Sequence, residues 1–395
     1  MIDRLTLHNF KAFRDTSLPL GPLTLLTGLN SSGKSSVLQA LALLRQSYET
    51  GDLAISASLL RAWQGGLRPG LASRGFLLNG ELVGLGTGED VLHEDFAGDE
   101  ARIGLAVDEG PYHYYWSVKY DPEQNLLPLH GVVLPFTSEG RDRPTGPEAV
   151  SPSFFTAPFQ YLHADRISPA EFYPRDHHAV IGRGFLGVRG EHTVNFLRHH
   201  AGDKVPEGPL HHPRAASDLL LDQVAAWMGD LCPGVDIQAD AIAGTDAVRL
   251  SYGFQGTLGP TRRRRPTNVG FGLTYVLPIV VACLTARPGS LVLLENPEAH
   301  LHPQGQTQMA MLAAAAAAQG TQMIMETHSD HVINGVRLAV KQGRITPGGV
   351  VFHYFRGDGT GVEVISPRVD ADGMLDQWPT GFFDELENTL DQLIG

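Results

Sequence analysis

The segment Gly28-Leu29-Asn30-Ser31-Ser32-Gly33-Lys34-Ser35 carries the clearest chemistry in the chain. It has the form G-x-x-x-x-G-K-[ST] in full. Glycines at this spacing let the backbone wind tightly, so that successive N–H groups from Asn30 to Ser36 turn inward. With the positive end of a following helix they make a cradle for phosphate. Lys34 brings a mobile ammonium to the outer phosphates, and the Ser35 hydroxyl is a ligand for Mg²⁺. A chance glycine-rich turn is the plainer explanation. Against it, the β-prone run Pro22 to Gly28 leads in, and Val37, Leu38, Leu41 and Leu44 lead out at helical spacing. Strand, glycine loop, helix is the context a phosphate loop requires. The expected cofactors are ATP and Mg²⁺.

Hydrolysis needs more than a cradle. It needs a further carboxylate for the metal and a group that orients or deprotonates water. "LVLLENPEAHLHP" offers candidates. Four apolar residues lead into Glu295, which is expected to hold the Mg²⁺ hydration shell from a strand tip. Glu298, three positions on, is a candidate to polarise the attacking water. The plainer reading is a strand capped by solvated acids. "METHSD" repeats the pattern, with Thr327 and His328 at the tip. His328 is a candidate partner for the terminal phosphate, although a lone histidine is more often a surface or core residue. Asp330 and His331 are expected to cap the next helix.

Other elements must position these groups. Ile2 to Leu7 alternates as a half-buried strand, and "RIGLAVDEG" and "YHYYWSVKY" read as antiparallel strands. "LLPLHGVVLPFTSEGRDRPTGPEAVSPS" reads as loop from its Pro, Gly and Ser content. Ala216 to Met228 and Phe382 to Leu393 read as helices. From Val269 onward strand and helix alternate, which implies a parallel sheet with helices on its faces. The expected fold is α/β, with a mixed central sheet flanked by helices and an inserted β-rich and helical middle region. The expected stretches are 1–95, 96–265 and 266–395.

The chain has 395 residues, a net charge of −13 and 18% charged residues. An acidic chain excludes nucleic-acid binding through its bulk field, so any such contact needs a local patch. Arg262 to Arg265 is the dense basic run; it grips phosphates or is a solvated loop. Cys232 and Cys283 have neither metal nor disulfide-framework spacing. The paired histidines at 177–178, 199–200 and 211–212 are expected at the surface, and a metal role for His300 and His302 is not expected. The start "MIDRLTLHNF" is no secretory signal, and Tyr275 to Leu284 is too short a run to span a membrane. A cytoplasmic protein with no membrane partner is expected.

Five segments together resemble a known family: "MIDRLTLHNFKAF", "GLNSSGKSSVLQALALL", "NVGFGLTYVLPIVVACL", "ENPEAHLHPQGQ" and "ETHSDHVINGVRLAV". They are similar to ATPases of the ABC-like branch shared by SMC, RecF and OLD proteins, nearest to stand-alone bacterial AAA-type ATPases with the "ENPEAHLHP" signature. "YLHADRISPAEF" at 161–172 shares the likeness. The resemblance implies an ABC/SMC-like P-loop fold, ATP hydrolysis, and a homodimer or higher homo-oligomer closed on the nucleotide. Asn268 to Thr274 stands where that family has its signature motif. Gly270, Gly272 and Thr274 would then face the γ-phosphate of the opposite subunit; a helix-packing glycine pair is the alternative. His328 resembles the switch histidine. Lys11, Phe13 and Arg14 stand where relatives approach the base or the phosphates, and Asp90 in "LVGLGTGEDVLHED" stands in for the glutamine loop.

One position departs from the commoner pattern. Where ABC proteins have Asp-Glu, this chain has Glu295-Asn296, and Asn cannot take a proton. Either Glu298 acts instead or turnover is slow. The family's company points to anti-phage defence or genome maintenance with a separate effector. The 67 residues after His328 are too few for the nuclease domain of OLD proteins, so no intrinsic nuclease is expected. A RecF-like DNA-binding repair ATPase and an ATP-binding scaffold with little turnover stay open as alternatives.

Overall fold

The computed structural model describes residues 1–53, 75–96, 101–132, 136–137, 151–256, 259–357, 361–379, 389 and 392–393. The chain packs as two interleaved units. The first comprises 1–21, 29–157 and 355–364; the second comprises 22–28, 158–354 and 365–395. The stretch 96–265 is shared between them.

The first unit is built on antiparallel strands. β1 (Arg4–Phe10) and β2 (Phe13–Pro19) form one hairpin. β3 (Leu23–Gly28) belongs to the second unit. β4 (Gly75–Leu77), β5 (Arg102–Glu109), β6 (Tyr112–Lys119) and β7 (Leu126–Val132) complete the order β2-β1-β5-β6-β7-β4. β8 (Phe136–Thr137) pairs with β6. Leu5, Leu7 and Phe10 are buried while Arg4 faces out, as a strand with one covered face requires. The expected strands around 102–110 and 112–120 are the hairpin β5–β6. Residues 126–132 correct an expectation: they are strand, not loop. Pro128 and Gly131 mask the pattern, and the β6–β7 ladder accommodates them by a register shift between Ser117 and Val118. Helix α1 (Lys34–Glu49) runs from the phosphate loop and buries Val37, Leu38, Leu41 and Leu44.

In the second unit β10 (Tyr173–Pro174), β11 (Val235–Ala241) and β13 (Gly259–Pro260) each pair with β12 (Ala247–Gly256). The unit also holds a parallel sheet. β9 (Phe159–Leu162), β14 (Leu291–Glu295) and β15 (Gln322–Glu326) join β3 in the order β3-β15-β14-β9. Registers such as Leu25↔Met325, Leu293↔Ile324 and Leu293↔Tyr161 align them. Leu23, Leu25, Leu293, Leu294, Met323 and Met325 are fully sequestered, because helices leave no solvent face on such a sheet. All four strands run the same way, so Gly28, Glu326, Glu295 and Leu162 lie at the same, carboxyl end. Ligands of open α/β sheets bind at that end. The flanking helices are α4 (Leu220–Leu231), α5 (Phe271–Thr285), α6 (Pro303–Ala318) and α7 (Asp330–Lys341); α2 (Gly88–Val91) and α3 (Thr193–His200) are shorter. The expected helix at 216–228 is α4, displaced to 220–231. The expected helix over 382–393 falls largely outside the described residues. Among the described residues no helix is long and apolar enough to cross a membrane.

The alanine run of α6 packs directly on α7. A β-carbon on Gly335 would lie 2.7 Å from Ala310 Cβ and 2.8 Å from the Thr307 carbonyl oxygen. Gly335→Val is expected to lower unfolding free energy by about 1–3 kcal/mol. Gly348→Ala, where nothing lies within 4 Å, should stay within about 0.5 kcal/mol. Urea midpoints of the two variants check this.

Candidate functional site

In the first unit the phosphate loop turns on left-handed residues, Ser31 at φ 61° and Gly33 at φ 91°. Gly33 is doubly required. Its φ disfavours a side chain, and a β-carbon would lie 2.8 Å from Phe13 Cζ and 2.9 Å from Ala12 Cβ. Helix α1 then starts with no side-chain cap and no acid in its first turn. An uncapped helix start of this kind presents N–H groups and positive potential to an anion. The Lys34 ammonium donates to the Leu29 carbonyl at 2.6 Å, and the Ser32 hydroxyl donates to the same oxygen at 2.7 Å. Lys34 thus folds back over the loop, its side chain buried. Asn30 and Ser31 are exposed and Ser35 is half-buried. The Ser36 N–H already bonds the Gly33 carbonyl at 3.0 Å, which withdraws it from the expected set of cradle donors. Donor-rich backbone, ammonium and serine hydroxyl together fit a triphosphate and its Mg²⁺.

The neighbours named from the resemblance have their own partners in this unit. Lys11 donates to Gln39 Oε1 at 2.8 Å. Burial lowers its pKa, and nearby Asp90 opposes the shift. Asp90 itself accepts the Thr87 N–H at 2.8 Å and closes the first turn of α2. Phe13 is buried and Arg14 is exposed.

In the second unit the strand tips converge on one buried cation. Arg166 is 1% exposed. Its guanidinium donates to four carbonyls: Tyr275 at 3.1 Å, His163 at 2.8 Å, Glu295 at 2.6 Å and Asn296 at 2.7 Å. Its face lies 4.3 Å from the Tyr275 ring centroid. Burial lowers its pKa to about 10, with Tyr275, Glu298 and Glu295 pulling the other way, so it stays charged at neutral pH. The rigid fork of donors explains why arginine and not lysine serves here. Sequence reasoning missed this residue. Its signal was the "YLHADR" stretch, which supported the resemblance but suggested no role.

Glu295 is held on both oxygens. Tyr161 donates its hydroxyl to Oε1, and the Ala164 N–H donates to Oε2 at 2.9 Å. Burial, then the Glu295 charge, pushes the Tyr161 phenol well above its usual pKa, so it remains a donor. A carboxylate has about four acceptor positions, so Glu295 keeps capacity for a metal's water. Asn296 sits at φ 43°, and its N–H bonds the Glu326 carbonyl at 2.9 Å. Asparagine tolerates this left-handed conformation better than most residues, which accounts locally for Asn in place of Glu.

Glu298 is 7% exposed. Its Oε1 accepts the His328 N–H at 2.8 Å, which brings two predicted site residues together. Its Oε2 has no hydrogen-bond partner among the described residues. Burial raises its pKa, while the His328 N–H and Arg166 restrain the shift. Such a carboxylate is a stronger base than a solvated one. The His328 ring is partly exposed, 3.9 Å from Glu326 Oε1. Ser329, not Asp330 or His331, caps α7, accepting the Val332 N–H at 3.2 Å.

The three signature candidates part company. Gly270 is exposed at the start of α5. Gly272 meets the His300 carbonyl, which would lie 2.6 Å from a β-carbon, so its smallness serves packing. Thr274 is 0% exposed, with its hydroxyl 3.3 Å from Tyr252 Oη. It faces the core because α5 is buried on all sides from Leu273 to Leu284, whereas Gly270 precedes the helix. Among the described residues no group of three or more His, Cys, Asp or Glu is arranged to hold a metal.

Residues 1–67 match a family described as "AAA ATPase domain", and residues 198–334 match "AAA domain, putative AbiEii toxin, Type IV TA system". Residues 345–393 match "Protein of unknown function (DUF3696)". An OLD nuclease of Thermus scotoductus is 46% identical over 355 residues, which cover 83% of this chain and 59% of that protein. The chain is an ATPase with AAA-type sequence over residues 1–67 and 198–334. This ATPase spans only 59% of the curated relative's length. Similar solved structures include an SMC head bound to the C-winged helix domain of ScpA, at 16% identity and TM-score 0.49, covering 93% of this chain and 97% of that one. An SMC head domain from Thermotoga maritima has 14% identity and TM-score 0.42, covering 92% and 98%.

Two outcomes follow for the ATPase. Arg166→Met strips donors from one buried and three part-buried carbonyls and should cost about 1–3 kcal/mol of stability, read by urea denaturation. For Glu298, a folded pKa above the unfolded value favours folding below the unfolded pKa, and that advantage is lost as pH rises through the folded one. Glu298→Gln is therefore expected to keep or raise Tm at pH 7. If Glu298 is the base, the acid limb of the rate profile should lie above an ordinary glutamate's value of about 4.3, and the variant should abolish it.

Proposed function

We propose that this ATPase binds Mg²⁺–ATP on the loop Leu29 to Ser36 and hydrolyses it, with Glu298 as the group that activates water. The observation that carries the reading is the start of α1, an uncapped helix N-terminus behind a left-handed glycine, with an ammonium folded into the loop. Asn30, Ser31, Ser32, Gly33 and Lys34 would hold the phosphates. Ser35 and Glu295 would hold the metal, which would neutralise charge on the terminal phosphates when bound. Glu298 is buried, raised in pKa and aimed by the His328 N–H, so it suits the role that Asn296 cannot fill. His328 would report the state of the terminal phosphate through the same N–H contact.

The nucleotide would close two copies of the chain, with the exposed start of α5 at Gly270 approaching the partner's phosphate. That closure would switch an effector. The curated relative is an OLD nuclease, so the effector we favour is a nuclease activity, in the service of anti-phage defence or genome maintenance. A ligand shifts such an equilibrium only through its better fit to one state, and a bridging γ-phosphate provides that difference.

Phosphate release by purified protein tests the reading. Wild type is expected to turn over, Lys34→Ala to fall to background, and Glu298→Gln to lose roughly 10²–10⁴-fold. Sizing should show a doubled mass with a non-hydrolysable ATP analogue and Mg²⁺, and no change for Lys34→Ala. A wild-type rate equal to that of Lys34→Ala would remove hydrolysis and leave an ATP-binding scaffold.

A further inference from the structure

The second unit contains a cavity of about 370 Å³, within the range of small-molecule sites. It lies where β9, β14 and α5 meet, at the ends of these elements remote from the nucleotide-site residues. Phe159 and Gln160 begin β9, Val292 lies near the start of β14, and Leu284 and Thr285 end α5. Glu295 ends β14, Tyr161 lies further along β9 with Ala164 just beyond it, and Gly270 precedes α5. The floor is apolar, from buried Val180, Phe196, Leu284 and Val292.

The rim has a different character. Arg183, Lys204 and Arg287 line it, against a single carboxylate, Asp203. Three cations around one opening are notable in a chain of net charge −13. Arg183 stacks 4.8 Å over the Phe185 ring, Lys204 pairs with Asp218 at 2.7 Å, and Arg287 has no carboxylate partner among the described residues. His200 also lines the cavity. Its Nδ1 bonds Asp203 Oδ2 at 2.7 Å, while its Nε2 is shielded from solvent and has no partner among the described residues. A buried polar atom without a partner is costly, and a bound ligand would satisfy it.

We propose that this cavity is a regulatory site for a small organic anion with an apolar or aromatic body. The apolar floor takes the body, Arg183 and Arg287 take the charged group, and His200 Nε2, left as an acceptor because Nδ1 donates to Asp203, takes a hydroxyl or N–H of the ligand. Its walls are the near ends of the elements whose far ends carry Glu295, its Tyr161 and Ala164 donors, and Gly270. A ligand here sits about 10–17 Å along the strands from Glu295, at the usual rise of about 3.3 Å per residue. Its effect on ATP affinity must be matched by an equal effect of ATP on its own affinity. The coupling half of the proposal rests on the nucleotide reading above; the binding half does not.

The test uses 1-anilinonaphthalene-8-sulfonate, an aromatic anion whose fluorescence reports binding. Wild type and Lys34→Ala are expected to bind it equally at one saturable site. Arg183→Glu/Arg287→Glu alters only exposed side chains and should weaken binding at least tenfold. Saturating probe should shift ATP affinity several-fold in wild type and not in the double variant. Unchanged probe affinity in the double variant, or unchanged ATP affinity in wild type, overturns the proposal. If wild type binds no ATP at all, the nucleotide reading fails, and the probe titration still decides the cavity.

Discussion

A single buried guanidinium organises the carboxyl end of the parallel sheet. Arg166 is fully enclosed, and its donors are spent on carbonyls from the turn after β9, the tip of β14 and the first turns of α5. Leaving a buried charge without such partners is prohibitive, so the three segments and the cation require one another. Arg166 makes no direct ion pair with Glu295 or Glu298. Its positive field nonetheless lies beside both, and it adds a last, small restraint on the pKa rise that burial imposes on Glu298, after hydrogen bonds led by the His328 N–H. The backbone that positions the acids and the charge that tunes one of them thus come from the same side chain.

The two acids occupy different environments three residues apart. Glu295 has a donor on each oxygen, which suits a carboxylate that stays ionised and orders water around a cation. Glu298 is deeper, with one oxygen bonded and the other without a partner among the described residues. Carboxylates separated in this manner take separate chemical roles. Asn296 between them is set by backbone shape, a left-handed conformation that asparagine tolerates.

Much of this was legible in the residues. The loop 28–35 and the strands at 291–295 and 322–326 follow from local pattern, since glycine spacing and apolar runs are physical constraints on short segments. Glu298 and His328 were named separately, and their hydrogen bond joins them. Arg166 and Tyr161 were not legible as site residues, because a buried arginine is read only from the carbonyls around it, and three of its four come from segments more than a hundred residues away. Thr274 was named from its place in a motif, which does not reveal which face of a helix is covered; the structure buries it against Tyr252. Residues 126–132 hid a strand because proline and glycine count against strands, unless a neighbouring ladder absorbs them.

The start of α5 and the turn after β14 interlock. Gly272 lies against the His300 carbonyl, and the His300 ring lies 4.8 Å from both Phe271 and Tyr275. Tyr275 in turn lies over Arg166, whose donors end on the Glu295 and Asn296 carbonyls. Phe271 is exposed, so this row of contacts begins at the surface. The exposed phenyl ring is thus joined, through an unbroken row of ring and guanidinium contacts, to the backbone that carries the Glu295 carboxylate.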